Sequence, residues 1–287
     1  MKKVAFIGAG RMGKPIIRNL IKLGFDIHVY ARSIMKVYDI ISNGAKFHST
    51  INDCVKDCSV VITMVGGPKD VEEVYFGTGK IMDSVEVGAY IIDMTTTSPN
   101  QAKLLNDEGS RRGLHVLDAP VSGGVIEAKN GNLSIMVGGD EDDYRVCLPL
   151  FRAIGSNVNY MGVAGMGQHT KLANQIIIAG TLAGVCEGIT YAKAQGLDIM
   201  KFLRAAATGG AGSKQLDNLA PRILDRDFTP GFSIKHFVKD LLLAIDCAQK
   251  EALNLDVLIT VMSHYKNLEK NGFTENGIQA LIKYYGG

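Results

Sequence analysis

The segment Gly8-Ala9-Gly10-Arg11-Met12-Gly13 leaves the chain little freedom in what it can fold into. It follows directly on Val4-Ala5-Phe6-Ile7, a short apolar run of the kind a buried parallel strand needs. Behind it comes an amphipathic helical pattern (Ile16, Ile17, Leu20, Leu23) closed by Gly24, then a second strand pattern, Ile27–Tyr30. In such a strand–turn–helix–strand unit the first glycine permits the tight turn. The second lets backbone approach a pyrophosphate, and the third lets helix and strand pack closely. The helix then aims its first N–H groups and positive dipole end at the phosphates. A dinucleotide is therefore expected on Gly8, Ala9, Gly10, Arg11, Met12 and Gly13.

Which dinucleotide is read at the end of the second strand, Tyr30-Ala31-Arg32-Ser33. An acid about 20 residues past the turn would bind the ribose 2′-hydroxyl of NAD, whereas an arginine accommodates the 2′-phosphate of NADP. No acid stands there. Arg32 and Ser33 offer a planar cation and a hydroxyl, so NADP is expected, with NAD possible.

Alternating units continue. Helices are expected over Lys36–Asn43, Ile51–Lys56 and Lys69–Tyr75, and strands over Ser59–Met64, Ala89–Asp93 and Leu114–Leu117. Met64 and Val65 end one strand at the sheet edge where α/β proteins bind ligands. Thr95, Thr96 and Thr97 end another, before Ser98 as N-cap and Pro99 at the first helical position. These threonines suit a ligand and local backbone equally well. Ser122-Gly123-Gly124 combines a hydroxyl with exposed N–H groups and suits either a carboxylate nest or a plain turn. Ala128–Val137 reads as a hairpin around Asn130-Gly131, and a helix over Asp142–Ile154 and a strand near Val158 follow. From Gly165 onward no strand pattern remains. A long helix runs to about Gln195, apolar nearly all round in its middle and hence expected to be buried, with further helices at about 199–208, 233–250, 256–270 and 275–284. The fold class is α/β: a doubly wound Rossmann-type domain over 1–164, then an all-α domain over 165–287.

Composition removes other classes. The 287 residues carry net charge +2, which gives no case for nucleic acid or anionic membrane. No segment is expected to reach the roughly 18 apolar residues of a membrane span, the nearest, Ile176–Cys186, being too short and holding Gly and Thr. The five cysteines lack a CxxC pair and the six histidines are scattered, so neither metal site nor disulfide framework is expected, and the compartment reads as cytoplasmic. On the long helix, Lys171 and Asn174 share a face at i,i+3. A buried lysine there would have a lowered pKa and suit acid/base work, while an exposed one would be an ordinary first-turn residue. Lys235-His236-Phe237-Val238-Lys239-Asp240 reads as a solvated helix face.

Taken together these segments resemble the β-hydroxyacid dehydrogenase family, which includes 3-hydroxyisobutyrate dehydrogenase, tartronate semialdehyde reductase and glyoxylate/succinic semialdehyde reductase. The resemblance spans the chain. It rests on Gly8–Leu20, Asp93-Met-Thr-Thr96, Asp118-Ala-Pro-Val-Ser-Gly-Gly124, Gly131–Gly139, Gly165-Met-Gly-Gln-His-Thr-Lys171-Leu-Ala-Asn174 and Lys239-Asp240. It implies a cleft between the two domains and Lys171 as general acid/base. It also implies Ser122, Gly123 and Gly124 on the substrate carboxylate, with Asn174 and Phe232 beside the substrate. Thr96 and Lys239 would lie at the cofactor and substrate, with Asp240, also on the cofactor side, supporting the closed cleft. Two positions depart from the usual pattern: Val65-Gly66-Gly67-Pro68, and His169 in place of a small residue.

The activity implied is reduction of a short semialdehyde or 2-oxo acid, by a homodimer or homotetramer. The same site run oxidatively would be a 3-hydroxyisobutyrate-type dehydrogenase. An imine reductase shares the architecture but usually lacks the lysine. A dinucleotide-sensing protein would dispense with it, and a phosphogluconate decarboxylase needs a larger helical domain.

Overall fold

Val4, Ala5, Phe6 and Ile7 are all buried, on two opposite faces: Val4 and Phe6 enter one apolar core, Ala5 and Ile7 another. A strand covered on both sides has no place for alternating polar residues, hence its unbroken apolar run. In the computed structural model, which describes residues 2–286, it is β1 (Lys3–Ile7) of a nine-stranded sheet. The chain continues through α1 (Gly13–Lys22), β2 (Asp26–Tyr30), a 3-10 turn (Ile34–Lys36), α2 (Tyr38–Ile41), β3 (Lys46–His48) and α3 (Ile51–Val55). Next come β4 (Val60–Thr63), α4 (Pro68–Tyr75), α5 (Ile81–Ser84), β5 (Tyr90–Asp93), α6 (Pro99–Arg111) and β6 (His115–Asp118). Then follow β7 (Val121–Ser122), α7 (Val125–Asn130), β8 (Leu133–Gly138), α8 (Glu141–Arg152) and β9 (Gly155–Gly162).

The strand order is β3-β2-β1-β4-β5-β6-β8-β7, with β9 on β8. β1 to β6 are parallel; β8 is antiparallel to β6 and β7 and parallel to β9. Register aligns the strand ends: Ile7 pairs with Tyr30 and Thr63, and Asp93 with Thr63 and Asp118. The order reverses at β1, whose neighbours β2 and β4 lead away in opposite directions, and ligands bind at such switch points.

The remainder is helical: α9 (Met166–Ala194), α10 (Ile199–Ala207), α11 (Lys214–Leu224), α12 (Ile234–Lys250), α13 (Asp256–Lys270) and a 3-10 segment, Ile278–Tyr285. Two compact units result, Met1–Lys171 and Leu172–Gly287. The second has its own core, in which Leu182, Cys186 and Ile189 of α9 join Phe237 and Leu241 of α12 and Tyr265 of α13. The Tyr265 hydroxyl donates to the Ile278 carbonyl at 2.9 Å, so burial leaves it satisfied.

Several local expectations are corrected. Asn130-Gly131 is no hairpin turn: Val125–Asn130 is helical, Glu127 Oε2 accepts from Gly124 N at 2.7 Å, and Gly131 (φ +69°) ends the helix in the left-handed conformation. Asn-Gly serves a helix C-terminus as well as a type I′ turn, and the glutamate three residues into the helix decides for the former. Lys36–Asn43 yields only a 3-10 turn and the four residues of α2. The last helix is 3-10 rather than α. α11 was not expected, because Pro221 interrupts its pattern; Ser213 caps it by accepting from Leu216 N. α9 has a mean hydropathy of 1.4 and is, by length and composition, long and apolar enough to cross a membrane. It is not buried all round: Ile177 and Tyr191 are exposed, while Leu182 and Ile189 form core.

Candidate active site

The glycine turn closes on backbone at two of its glycines and opens at the third. Gly8 has φ +106°, and a Cβ there would lie 2.0 Å from the Met64 carbonyl oxygen. A Cβ on Gly13 would lie 2.3 Å from the Gly8 oxygen. A Cβ on Gly10 would meet nothing within 4 Å. The N-cap of α1, Met12, makes no side-chain capping bond, and the first turn carries no acid. A tight floor, an open middle and a helix start without a capping side chain fit a pyrophosphate. The Met64 carbonyl closes the turn on one side.

A buried polar network joins the neighbouring strand ends. Asp93 is 2% exposed; its Oδ1 accepts from the Thr63 hydroxyl at 2.8 Å and from Thr95 N at 3.0 Å. Since Thr63 donates to Asp93, the Tyr75 hydroxyl donates to Thr63, at 2.7 Å. Burial lifts the Asp93 carboxyl to about 6 in spite of these bonds, and its Oδ2 finds no hydrogen-bond partner among the described residues. Thr95 Oγ1 in turn accepts from Val65 N at 3.0 Å, tying the loop after β4 to the loop after β5. Thr96, half-buried, stands between Thr95 and Thr97 in that loop.

Asp118, at the end of β6, reaches the start of α9. Its Oδ1 accepts from Gly165 N and its Oδ2 from Gln168 N, both at 2.8 Å. A strand carboxylate thus caps a 29-residue helix and faces its positive end. Burial raises the Asp118 carboxyl, opposed by the two N–H groups. Lys171, one turn further along α9, is only 7% exposed. That excludes the solvated first-turn lysine, the other reading of its sequence context.

In the second unit, Gln175 is the link. It accepts from the Asn174 amide at 2.9 Å and donates to Asp240 Oδ2 at 2.8 Å. Lys239 Nζ lies 2.9 Å from Asp240 Oδ1, and Asp240 is 1% exposed. Asn174, Lys239 and Asp240 are therefore brought together, by a residue that sequence reasoning passed over. Phe232 lies just before α12, half-buried, stacked on His236 and edge-on to Phe237. The solvated face expected over Lys235–Asp240 holds only in part: the Lys235 ammonium reaches exposed Glu275 at 3.8 Å, whereas Asp240 is buried because Gln175 and Lys239 supply its partners.

Two expected groups are modified by the structure. Gly123 has φ +129°, as an irregular turn requires, but the Gly124 N–H is engaged by Glu127 rather than open to a ligand. The Arg32 side chain is 76% exposed, with Nη2 3.9 Å from Asp70 Oδ1, and Ser33 caps the 3-10 turn without a side-chain bond. The residues missed altogether are Gln168, Gln175 and Asp118. For the glutamines the sequence signal is periodicity, since Gln168, Lys171 and Gln175 fall on one face of α9; Asp118 and Gln168 stand in the motifs that carry the family resemblance, without a role of their own.

The chain also resembles known proteins along its whole length. Residues 3–162 match the NAD-binding domain of 6-phosphogluconate dehydrogenase, and residues 165–285 match the NAD-binding region of NADP-dependent 3-hydroxyisobutyrate dehydrogenase. The chain is 42% identical to a probable 3-hydroxyisobutyrate dehydrogenase-like protein of Arabidopsis thaliana, over 98% of this chain and 84% of that one. It is 37% identical to the 2-hydroxy-3-oxopropionate reductase of Escherichia coli, over 98% and 96%. Among solved structures, Psf3 in complex with NADP+ and 2-OPP superposes with a TM-score of 0.90 at 27% identity, covering 98% of this chain and 99% of that one.

Proposed function

The chain belongs to the β-hydroxyacid dehydrogenase family of NAD(P)-dependent oxidoreductases, and from that premise we propose that it reduces a short semialdehyde or 2-oxo acid with NADPH. The observation that carries the proposal is the buried Lys171, one turn from a helix start capped by Asp118. An amine held in a water-poor site, on a helix fixed to the sheet's carboxyl edge, is suited to proton transfer. Lys171 donates a proton to the carbonyl oxygen in reduction and removes it from the hydroxyl in oxidation. When bound, the nicotinamide coenzyme supplies the hydride that the carbonyl carbon gains.

Gly8–Gly13, with Met64, Val65 and Thr96 beside them, would hold the coenzyme, and Arg32 with Ser33 would bind the 2′-phosphate. The absence of an acid at the end of β2, and a similar structure holding NADP+, support NADPH. Asp70 beside Arg32 would weaken that preference rather than reverse it, because the pair is exposed and 3.9 Å apart. Ser122 and Gly123 would bind the substrate carboxylate, with Gly124 joining once Glu127 releases its N–H. Asn174, held by Gln175, would orient the substrate hydroxyl, with Lys239 and Phe232 beside the substrate and Lys239 and Asp240 beside the coenzyme. The name of the Escherichia coli relative supports 2-hydroxy-3-oxopropionate among the substrates. The second reading, oxidation of a 3-hydroxyisobutyrate-type acid, is favoured by the family matched over residues 165–285. The exposed Ile177 and Tyr191 of α9 support a homodimer or homotetramer.

The test is initial rates with NADPH and NADH against glyoxylate and succinic, methylmalonate and tartronate semialdehydes. Lys171→Ala should lower kcat by about 100-fold or more while coenzyme affinity stays within about twofold. Unchanged turnover in that variant would remove Lys171 from the mechanism.

A further inference from the structure

Gln168 is 0% exposed, and a glutamine so buried is costly unless both ends of its amide are bonded. Both are. Oε1 accepts from Thr97 N at 3.0 Å, and Nε2 donates to the Thr95 carbonyl at 2.8 Å. These two peptide groups flank Thr96. The Gln168 backbone N–H is meanwhile fixed by Asp118. There is no slack beneath this turn: a Cβ on Gly167 would lie 2.4 Å from the Met136 oxygen and 2.7 Å from the Asp118 oxygen. Lys171 follows three residues later on the same helix face.

We propose that Gln168 is a positioning residue whose side-chain amide holds the helix bearing Lys171 at one fixed spacing from the loop bearing Thr96. The proposal rests on the reading of Lys171 as acid/base and Thr96 as coenzyme contact. A single amide bridges the helix of the proton-transfer group and the coenzyme loop, so a shift of either must break it. Packing alone would be served by any side chain of the same volume. Gln168 instead matches one donor and one acceptor to the two peptides around a single residue.

Gln168→Glu tests the donor separately from the shape. As a carboxylate, the substituted side chain still accepts from Thr97 N but sets an anion against the Thr95 carbonyl. As a carboxylic acid, it can donate there again. The ionisable groups around it are Asp118, Asp93, His169 and Lys171. Gln168→Met, which adds no charge, shows the pH dependence of these groups alone, so a rise confined to Gln168→Glu reports the introduced carboxyl.

The expected result at pH 8 is a kcat lowered by about 100-fold, the loss that a misplacement near 1 Å produces. KM values should change little. The kcat ratio should climb back toward one as pH falls and the introduced carboxylate protonates. Gln168→Met removes both bonds without adding charge, and should show the same kcat loss at every pH. A Gln168→Glu profile parallel to wild type, or full kcat in Gln168→Met, would overturn the proposal. Lys171→Ala run alongside separates the two levels. Retained turnover there defeats the acid/base reading itself, whereas lost turnover with unaltered Gln168 variants defeats only the positioning role.

Discussion

Replacing Asp93 by asparagine should change how stability depends on pH, and the structure sets the size of the effect. Burial pushes the Asp93 carboxyl up from the ordinary 3.8 to about 6, outweighing its bonds to Thr63 and Thr95. The folded state therefore holds the proton more tightly than the unfolded one, and stability falls as pH rises from about 4 to about 6. A rise of about two units, at about 1.4 kcal/mol each, makes the loss about 3 kcal/mol by pH 8. The amide of Asp93→Asn keeps an acceptor for Thr63 and Thr95 and cannot ionise. The stability of the variant minus that of the wild type should then grow by about 3 kcal/mol between pH 4 and pH 8. Burial raises Asp118 in the same direction, and its charge also raises Asp93, so the difference reports the Asp93 carboxyl together with this coupling. Urea unfolding followed by circular dichroism at stepped pH measures this. Hydrogen exchange of the Tyr90–Thr97 amides assigns the change to the sheet unit. A difference that stays flat from pH 4 to pH 8 would mean Asp93 ionises as if in water, and the argument from burial would be wrong.

The glycine turn separates fold from ligand binding. Gly8→Ala should destabilise the chain by at least about 2 kcal/mol, from its left-handed φ and the contact with the Met64 oxygen, seen as a lowered Tm. Gly10→Ala, into open space, should leave Tm within about 2 °C, as a change near zero in ΔG implies, yet weaken coenzyme binding in a titration. Arg32→Ala should raise KM for NADPH by about 10- to 100-fold, the value of one charge-assisted bond, with KM for NADH nearly unchanged. Equal effects on both coenzymes would move the 2′-phosphate site elsewhere.

What the sequence determined by itself is the part of this protein encoded over short distances. A continuous apolar run means a strand covered on both faces, and Val4–Ile7 and Val60–Thr63 obey that rule. Gly8, Gly10 and Gly13 stand close enough in the chain for their separate roles in one turn to be read from spacing. Ser98-Pro99 marks a helix start because capping is a local bond. Where two local structures share a signal, sequence reading fails: Asn130-Gly131 suits both a hairpin and a helix end, and Glu127 settles it by folding back on Gly124. The carboxyl-terminal helices were legible from their period, apart from α11, whose proline belongs to a helix held by tertiary packing, and the last, which is 3-10 rather than α.

Only the tertiary structure decided which polar residues turn inward. Glutamine in a helix is unremarked in sequence, since the helical period says which residues share a face and not which face meets protein. Gln168 became an interior bridge because the β5–α6 loop presents one carbonyl and one N–H to it, and Gln175 because Asp240 lies across from it. Lys171 was open between solvent and interior until Asp118, 50 residues before Gln168, was seen to hold the start of its helix. Burying a polar group requires partners in the right place, and those partners come from distant parts of the chain that only folding brings together.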